Sequence, residues 1–127
     1  MKKMDVICDT CKTGFKIGKL ETEVMEDNYQ IEHGYFKCPK CGKVYTVYYA
    51  DVTWRRNVDK IIDYGHRIND LRGILKYRTK KLSNADYIKY RNEFNALMRE
   101  QSKLMQENKE ITKKYKRIYE EELICQN

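Results

Sequence analysis

Four cysteines stand in two pairs, Cys8-Asp9-Thr10-Cys11 and Cys38-Pro39-Lys40-Cys41, each with two residues between the sulfurs. Two thiolates at this spacing can curl around one metal ion while backbone N–H groups point at the sulfurs. Two such knuckles complete a tetrahedral four-sulfur site. Gly42, directly after the last cysteine, permits the tight positive-φ turn that a knuckle favours. The 26 residues between the pairs leave room for two strands and a turn. Cys8, Cys11, Cys38 and Cys41 are therefore the expected ligands of one structural zinc ion. Four closed ligands leave no open position for water or substrate, so such a site holds a fold and performs no reaction. A module of about 50 residues buries too little apolar surface to be stable alone, and metal binding can supply the missing folding free energy. The fifth cysteine, Cys125, falls at a core-type phase of a C-terminal helix and is expected to be an inert thiol.

These two knuckles resemble the zinc-ribbon family over residues 8–49. The second, Cys38-Pro39-Lys40-Cys41-Gly42, fits the family pattern well. The first departs from it: Lys12 follows Cys11 where the family commonly has Gly, and Gly14 comes two residues later. Rubredoxins share the two-knuckle layout and use iron, but the aromatic and proline-rich segment they carry between knuckles is missing here. A ribbon followed by a coiled coil also resembles, in layout and in its Lys- and Tyr-rich composition, certain small phage and prophage proteins of low-GC Gram-positive bacteria. Some of those carry a transglycosylase label. That chemistry needs a partly buried acid in a sugar cleft, and the sequence offers no candidate for it.

The elements that must hold the cysteines differ between the two halves of the 127-residue chain. Residues 1–52 alternate and are rich in Val, Ile, Tyr and Phe. Residues 6–7, 15–24, 29–36 and 44–52 read as short strands, with Glu26-Asp27-Asn28 as a turn between the middle two. The aromatics Phe15, Tyr29, Tyr35, Phe36, Tyr45, Tyr48 and Tyr49 are expected to serve mainly as the core of this mini-sheet. Alternation then puts either Tyr45 and Tyr49 or Val44 and Tyr48 outside.

From residue 53 onward there is no Pro, and apolar residues recur at helical spacing. A first helix is expected over about 53–82, with Asp51 or Thr53 as N-cap. Its seam holds Trp54, Ile61, Ile68, Leu75 and Leu82, with Val58, Gly65, Arg72 and Thr79 between them. Ser83-Asn84 makes a turn, and Ser83 with Asp86 looks like a capping pair. A second helix is expected over about 85–123. Tyr90, Leu97, Leu104, Ile111 and Ile118 recur at one heptad position, and Tyr87, Phe94, Gln101, Asn108 and Tyr115 at the other. The short link favours an antiparallel hairpin. The expected class is α+β: a four-stranded zinc ribbon (1–52) followed by a long antiparallel helical hairpin, a coiled coil (53–127). Polar seam residues fix the register, or else leave apolar surface for a homodimer or a protein partner.

The formal charge of +7 is unevenly placed. Residues 1–52 hold eight Lys and eight acids, and the remaining 18 cations and 11 acids follow. Lys76, Arg78, Lys80, Lys81, Lys89 and Arg91 surround the hairpin tip, with Asp86 the one acid among them. Lys113, Lys114, Lys116 and Arg117, with Arg55 and Arg56, form a second basic group at the hairpin base. Such groups can hold phosphates in a sequence-independent, salt-sensitive way. The nearby Glu120-Glu121-Glu122 is expected to pair with the basic residues or to repel nucleic acid from that end.

His33 and His66 have no Cys, Asp or Ser at a spacing that implies a catalytic pair. There is no P-loop, G-x-G-x-x-G, H-E-x-x-H or nucleophile elbow. No enzyme activity and no small-molecule substrate are expected. No apolar stretch approaches the ~20 residues that cross a bilayer, and Lys2 and Lys3 precede no signal-like segment. A cytoplasmic protein that keeps its thiols reduced and has no membrane partner is therefore expected. Its function is expected to be non-catalytic and accessory: DNA or RNA binding through the basic hairpin ends, or alternatively an adaptor that docks a host or phage protein on the hairpin.

Overall fold

The structure, a computed structural model, describes residues 4–121. Cys125 and the last residues of the expected second helix lie outside the described residues. The fold is α+β, with five strands in two small antiparallel sheets and two helices. The chain divides into two compact units. One contains residues 4–52 and 111–121, the other residues 53–110.

In the first unit, β1 (Met4–Ile7) pairs antiparallel with β2 (Gly14–Ile17). A second sheet has the order β3 (Glu21–Val24), β4 (Glu32–Lys37), β5 (Val44–Ala50). The sequence had implied four strands. The stretch 15–24 is in fact two strands in different sheets, broken at Gly18-Lys19-Leu20. Glycine lowers the cost of leaving the strand conformation there.

Register explains where the cysteines sit. Ile7 pairs with Gly14, so the loop closing the first hairpin is the Cys8–Cys11 knuckle. Lys37 pairs with Val44, so the loop closing β4–β5 is the Cys38–Cys41 knuckle. The β3–β4 turn forms where expected: Asn28 Oδ1 accepts the Gln30 N–H at 3.0 Å, and the Met25 N–H reaches Ile31 O at 3.0 Å.

Alternation fails in β5. The register shifts between Gly34 and Tyr35: Tyr35 faces Thr46 while Gly34 faces Tyr48, leaving Val47 as the extra residue of a bulge. A bulge sets two residues of one strand against one of its partner and resets which face each side chain takes. Thr46 and Tyr49, three apart, therefore both reach His33. Tyr49 is 1% exposed and Val44 is exposed. Gly34 has no freedom to carry a side chain, because a Cβ there would run into the Tyr48 ring.

The second unit, residues 53–110, holds all but the outer ends of a helical hairpin. Helix α1 covers Val52–Tyr77, a 3-10 turn covers Thr79–Lys81, and α2 covers Asn84–Lys116. The first helix thus stops five residues before the expected end, where Arg78 and the 3-10 turn begin the connection. Ser83 caps α2 as its spacing implied: its Oγ accepts the Asp86 N–H at 3.1 Å. Antiparallel pairing is fixed by contacts whose numbers rise on one helix as they fall on the other. Asn57 Nδ2 donates to Asn108 Oδ1 (2.9 Å), Gln101 Nε2 donates to Ile61 O (3.0 Å), and Arg67 forms a two-pronged bond to Glu93 (2.8 and 3.0 Å).

The seam of α1 differs from the expected one. Asn57, Ile68 and Leu71 are its buried residues, while Arg72 is exposed and Val58 and Gly65 are only half-buried. The stripe steps by three from Trp54 to Asn57 and from Ile68 to Leu71. In an α-helix, steps of three and four share one face. The heptad of α2 keeps at least half-buried positions up to Tyr115, but Ile118 is 38% exposed. The cause is a π-helical turn over Arg117–Glu121. Its wider winding carries Tyr119 and Glu120 inward in place of Ile118. No described helix is long and apolar enough to cross a membrane.

Candidate metal centre and basic hairpin tip

The two knuckles fold alike. In the first, the Cys8 N–H donates to Thr13 O (2.9 Å) and the Lys12 N–H to Cys8 O (2.8 Å). In the second, Cys38 N–H reaches Lys43 O and Gly42 N–H reaches Cys38 O, both at 2.9 Å. Lys12 and Gly42 hold equivalent positions and both have positive φ, 62° and 77°. Lysine thus stands where the backbone demands the left-handed region that the second knuckle gives to glycine.

This folding brings the four expected ligands together. All four Sγ atoms lie within 4.8 Å of one another. Cys8 and Cys41 sulfurs are 3.6 Å apart and those of Cys11 and Cys38 are 3.5 Å apart. A tetrahedron with Zn–S bonds of ~2.3 Å needs sulfur separations of about 3.8 Å. The four cysteines can therefore hold a single metal ion, plausibly zinc. Cys8 and Cys38 are buried and Cys41 is exposed.

Neighbouring groups set the thiols apart. The Tyr45 hydroxyl, 3.1 Å from Cys8 Sγ, is the largest influence on that thiol and helps lower it to about 6. Thr13 Oγ1, 3.3 Å from Cys11 Sγ, lowers Cys11. At Cys41 the Lys43 backbone N–H acts downward, but burial and the three other sulfurs outweigh it and push the thiol up to about 11. Four thiolates repel one another, and a divalent cation at their centre removes that repulsion. Tyr45 also meets Asp9 Oδ1 at 2.5 Å, and Asp9 accepts from Lys43 Nζ at 2.7 Å. Lys43 and Tyr45 hold the Asp9 carboxyl down at about 2. This cluster ties the first knuckle to the start of β5.

A second cluster in the same unit was not evident from sequence. The His33 ring stacks on Tyr49 (4.4 Å) and Tyr35 (4.8 Å). Its Nδ1 lies 3.2 Å from Glu23 Oε1 and its Nε2 2.7 Å from Thr46 Oγ1. Both Thr46 and Tyr49 hydroxyls donate to Glu120 Oε2 at 2.8 Å. Burial, followed by the Glu120 carboxylate, drives the Tyr49 phenol well above its ordinary value. Tyr119 stacks on Tyr49 at 5.7 Å and donates to Asp27, and Tyr115 donates to Asp51 at 2.8 Å. Glu120 is thus neither a partner for the basic group nor a free repulsive charge: it accepts hydroxyls from β5. The signal that could have found part of it is the β3–β4 turn, which sets Glu23 opposite His33; Tyr49 comes opposite His33 through the β4–β5 hairpin.

The expected phosphate contacts fall into separate places. Lys76, Arg78, Lys80, Lys81, Lys89 and Arg91 are all exposed around the interhelical connection. None of the six joins an ion pair among the described residues. Arg55, half-buried, and Arg56, exposed, begin α1 in the same unit. Lys113, Lys114 and Lys116 at the end of α2, and Arg117 at the start of the π-helical turn after it, are exposed in the other unit. Comparison of the chain with known protein families, curated proteins and solved structures finds no match.

Proposed function

We propose that this chain is a non-catalytic accessory protein of the zinc-ribbon type, which binds one structural zinc and contacts nucleic-acid phosphates through the basic tip of its helical hairpin. The carrying observation is the tip itself: six exposed cations around one connection, with Asp86 the one acid among them. A solvated helix face normally mixes its charges, as Glu100 and Lys103 do farther along α2. An unbalanced group of this size instead matches a polyanion. The tetrathiolate site supports a holding role for the metal, since four sulfurs leave no position for a reacting water.

The test is fluorescence anisotropy with labelled DNA and RNA at a series of salt concentrations. Binding should weaken steeply with salt, with a log–log slope no greater in magnitude than about 5 for six phosphate contacts. Arg78→Ala, Lys80→Ala and Lys81→Ala together should weaken binding about equally for all sequences and flatten that slope. Absence of binding at low salt and micromolar protein would end the proposal.

A protein-docking role is the second reading. Its specific support is the exposure of Ile62, Met98 and Met105 on the hairpin. It ranks lower because the polar seam residues are satisfied within the hairpin: Asn57 pairs with Asn108 and Gln101 with Ile61 O. The seam therefore does not call for a second copy. Light scattering separates the two readings, a dimer favouring docking.

A further inference from the structure

The last residue of α1, Tyr77, is 78% exposed, although aromatic rings are costly to leave in water. It stands inside the basic tip, between Lys76 and Arg78, with Lys80 and Lys81 just beyond. Lys76 Nζ lies 5.3 Å from the centre of its ring. Beside the ring runs a shallow groove of about 460 Å³, lined by Asn69, Asp70, Gly73, Ile74, Tyr77 and Arg78. Gly73 sits one turn before Tyr77, and a Cβ there would meet nothing within 4 Å. The groove floor is therefore open, with an apolar wall from Ile74, a ring from Tyr77 and polar groups at its ends.

We infer that the tip takes single-stranded nucleic acid, one base stacking on Tyr77 over the Gly73 groove while Arg78, Lys80 and Lys81 hold the flanking phosphates. This rests on the proposed phosphate-binding role and adds the form of nucleic acid. The choice of occupant follows from charge and shape together. The cations require a polyanion, and an exposed ring beside an open groove has no use in binding a duplex, whose bases are already stacked on one another. Every base presents a π-face, so stacking of this kind tolerates sequence. The Lys76 ammonium near the ring adds a cation–π contribution and a further phosphate contact. Asn69 and Asp70 at the rim offer acceptors and a donor to the edge of a stacked base.

The test uses the zinc-loaded full chain and labelled oligonucleotides of one length, single-stranded and duplex, with wild type, Tyr77→Ala and Tyr77→Phe. Because Tyr77 is exposed at a helix end, circular dichroism should be unchanged in both variants. Wild type should prefer the single strand. Tyr77→Ala should weaken single-strand binding by roughly 5- to 100-fold, the value of one lost base stack, while leaving duplex binding and the salt slope as they were. Tyr77→Phe should retain the preference. Equal binding of both forms, or no effect of Tyr77→Ala, overturns the stacking inference and leaves phosphate binding intact. Absence of binding to either form overturns both.

Discussion

Lys12 holds a backbone conformation that costs an L-residue roughly 1–2 kcal/mol. It does so because the knuckle closes its two hydrogen bonds only if the residue after the second cysteine turns left-handed, as Gly42 shows in the other knuckle. Lys12→Gly should therefore stabilise the metal-loaded fold, by less than the full strain because glycine returns about 0.5–1 kcal/mol as backbone entropy on unfolding. Gly42→Ala should do the reverse. Thermal melting of the zinc-loaded protein checks both signs. Gly34 is a different kind of glycine, required by the Tyr48 ring that covers it. Gly34→Ala should cost about 1–3 kcal/mol as the ring is forced aside, and Tyr48→Ala in the same chain should remove most of that penalty. The cysteines were legible from spacing alone. The strain at Lys12 was visible only as a departure from the glycine expected there. The dependence of Gly34 on Tyr48 was not legible, because it follows from a bulge at Val47 that strict alternation cannot anticipate.

At the scale of elements, the helices were legible because apolar periodicity over long segments survives small changes in phase. What the periodicity missed were two local changes. The stripe on α1 steps to Asn57 and Leu71 rather than Val58 and Arg72, and the π-helical turn over Arg117–Glu121 exchanges Ile118 for Tyr119 and Glu120. Asn57 is buried in the hairpin and bonded to Asn108, which in turn donates to Trp54 O at 3.3 Å. Asn57→Leu alone should destabilise the hairpin by about 1–3 kcal/mol, since it leaves the Asn108 amide without that partner. Replacing both asparagines with leucine should recover much of the loss, at the risk of a less well specified register. A urea-denaturation cycle over the two singles and the double measures the coupling. The Arg67–Glu93 pair contributes less, because both side chains are more than a third exposed. Arg67 holds Glu93 below the usual carboxylate range. Its small contribution should be present above about pH 4.3 and lost as acid protonates Glu93. Glu93→Gln should abolish that part of the acid dependence and cost under about 1 kcal/mol at neutral pH.

For the whole molecule, the division of the chain does not follow its order. Sequence periodicity separates strands from helices at residue 52, but residues 111–121 pack in the same unit as the strands, through Tyr115, Tyr119 and Glu120. Those contacts join side chains 60 or more residues apart in sequence and are made by tyrosines and a glutamate whose local spacing carries no signal of them. They give a sharp expectation for metal removal. On the proposed structural role of zinc, a unit this small draws folding free energy from the bound metal, so strong chelation at neutral pH should unfold residues 4–52. The hydroxyls of Thr46 and Tyr49 that hold Glu120 would go with it, and so would the partners of Thr112, Tyr115 and Tyr119, so residues 111–121 would lose their anchors on the strands. Hydrogen exchange should then show protection lost over 4–52 and over 111–121 together, while residues 53–110 keep theirs. Were exchange over 111–121 to stay slow with the strands unfolded, the π-helical turn would owe its stability to the helix alone, and the Glu120 network would be a consequence of the fold rather than a support of it.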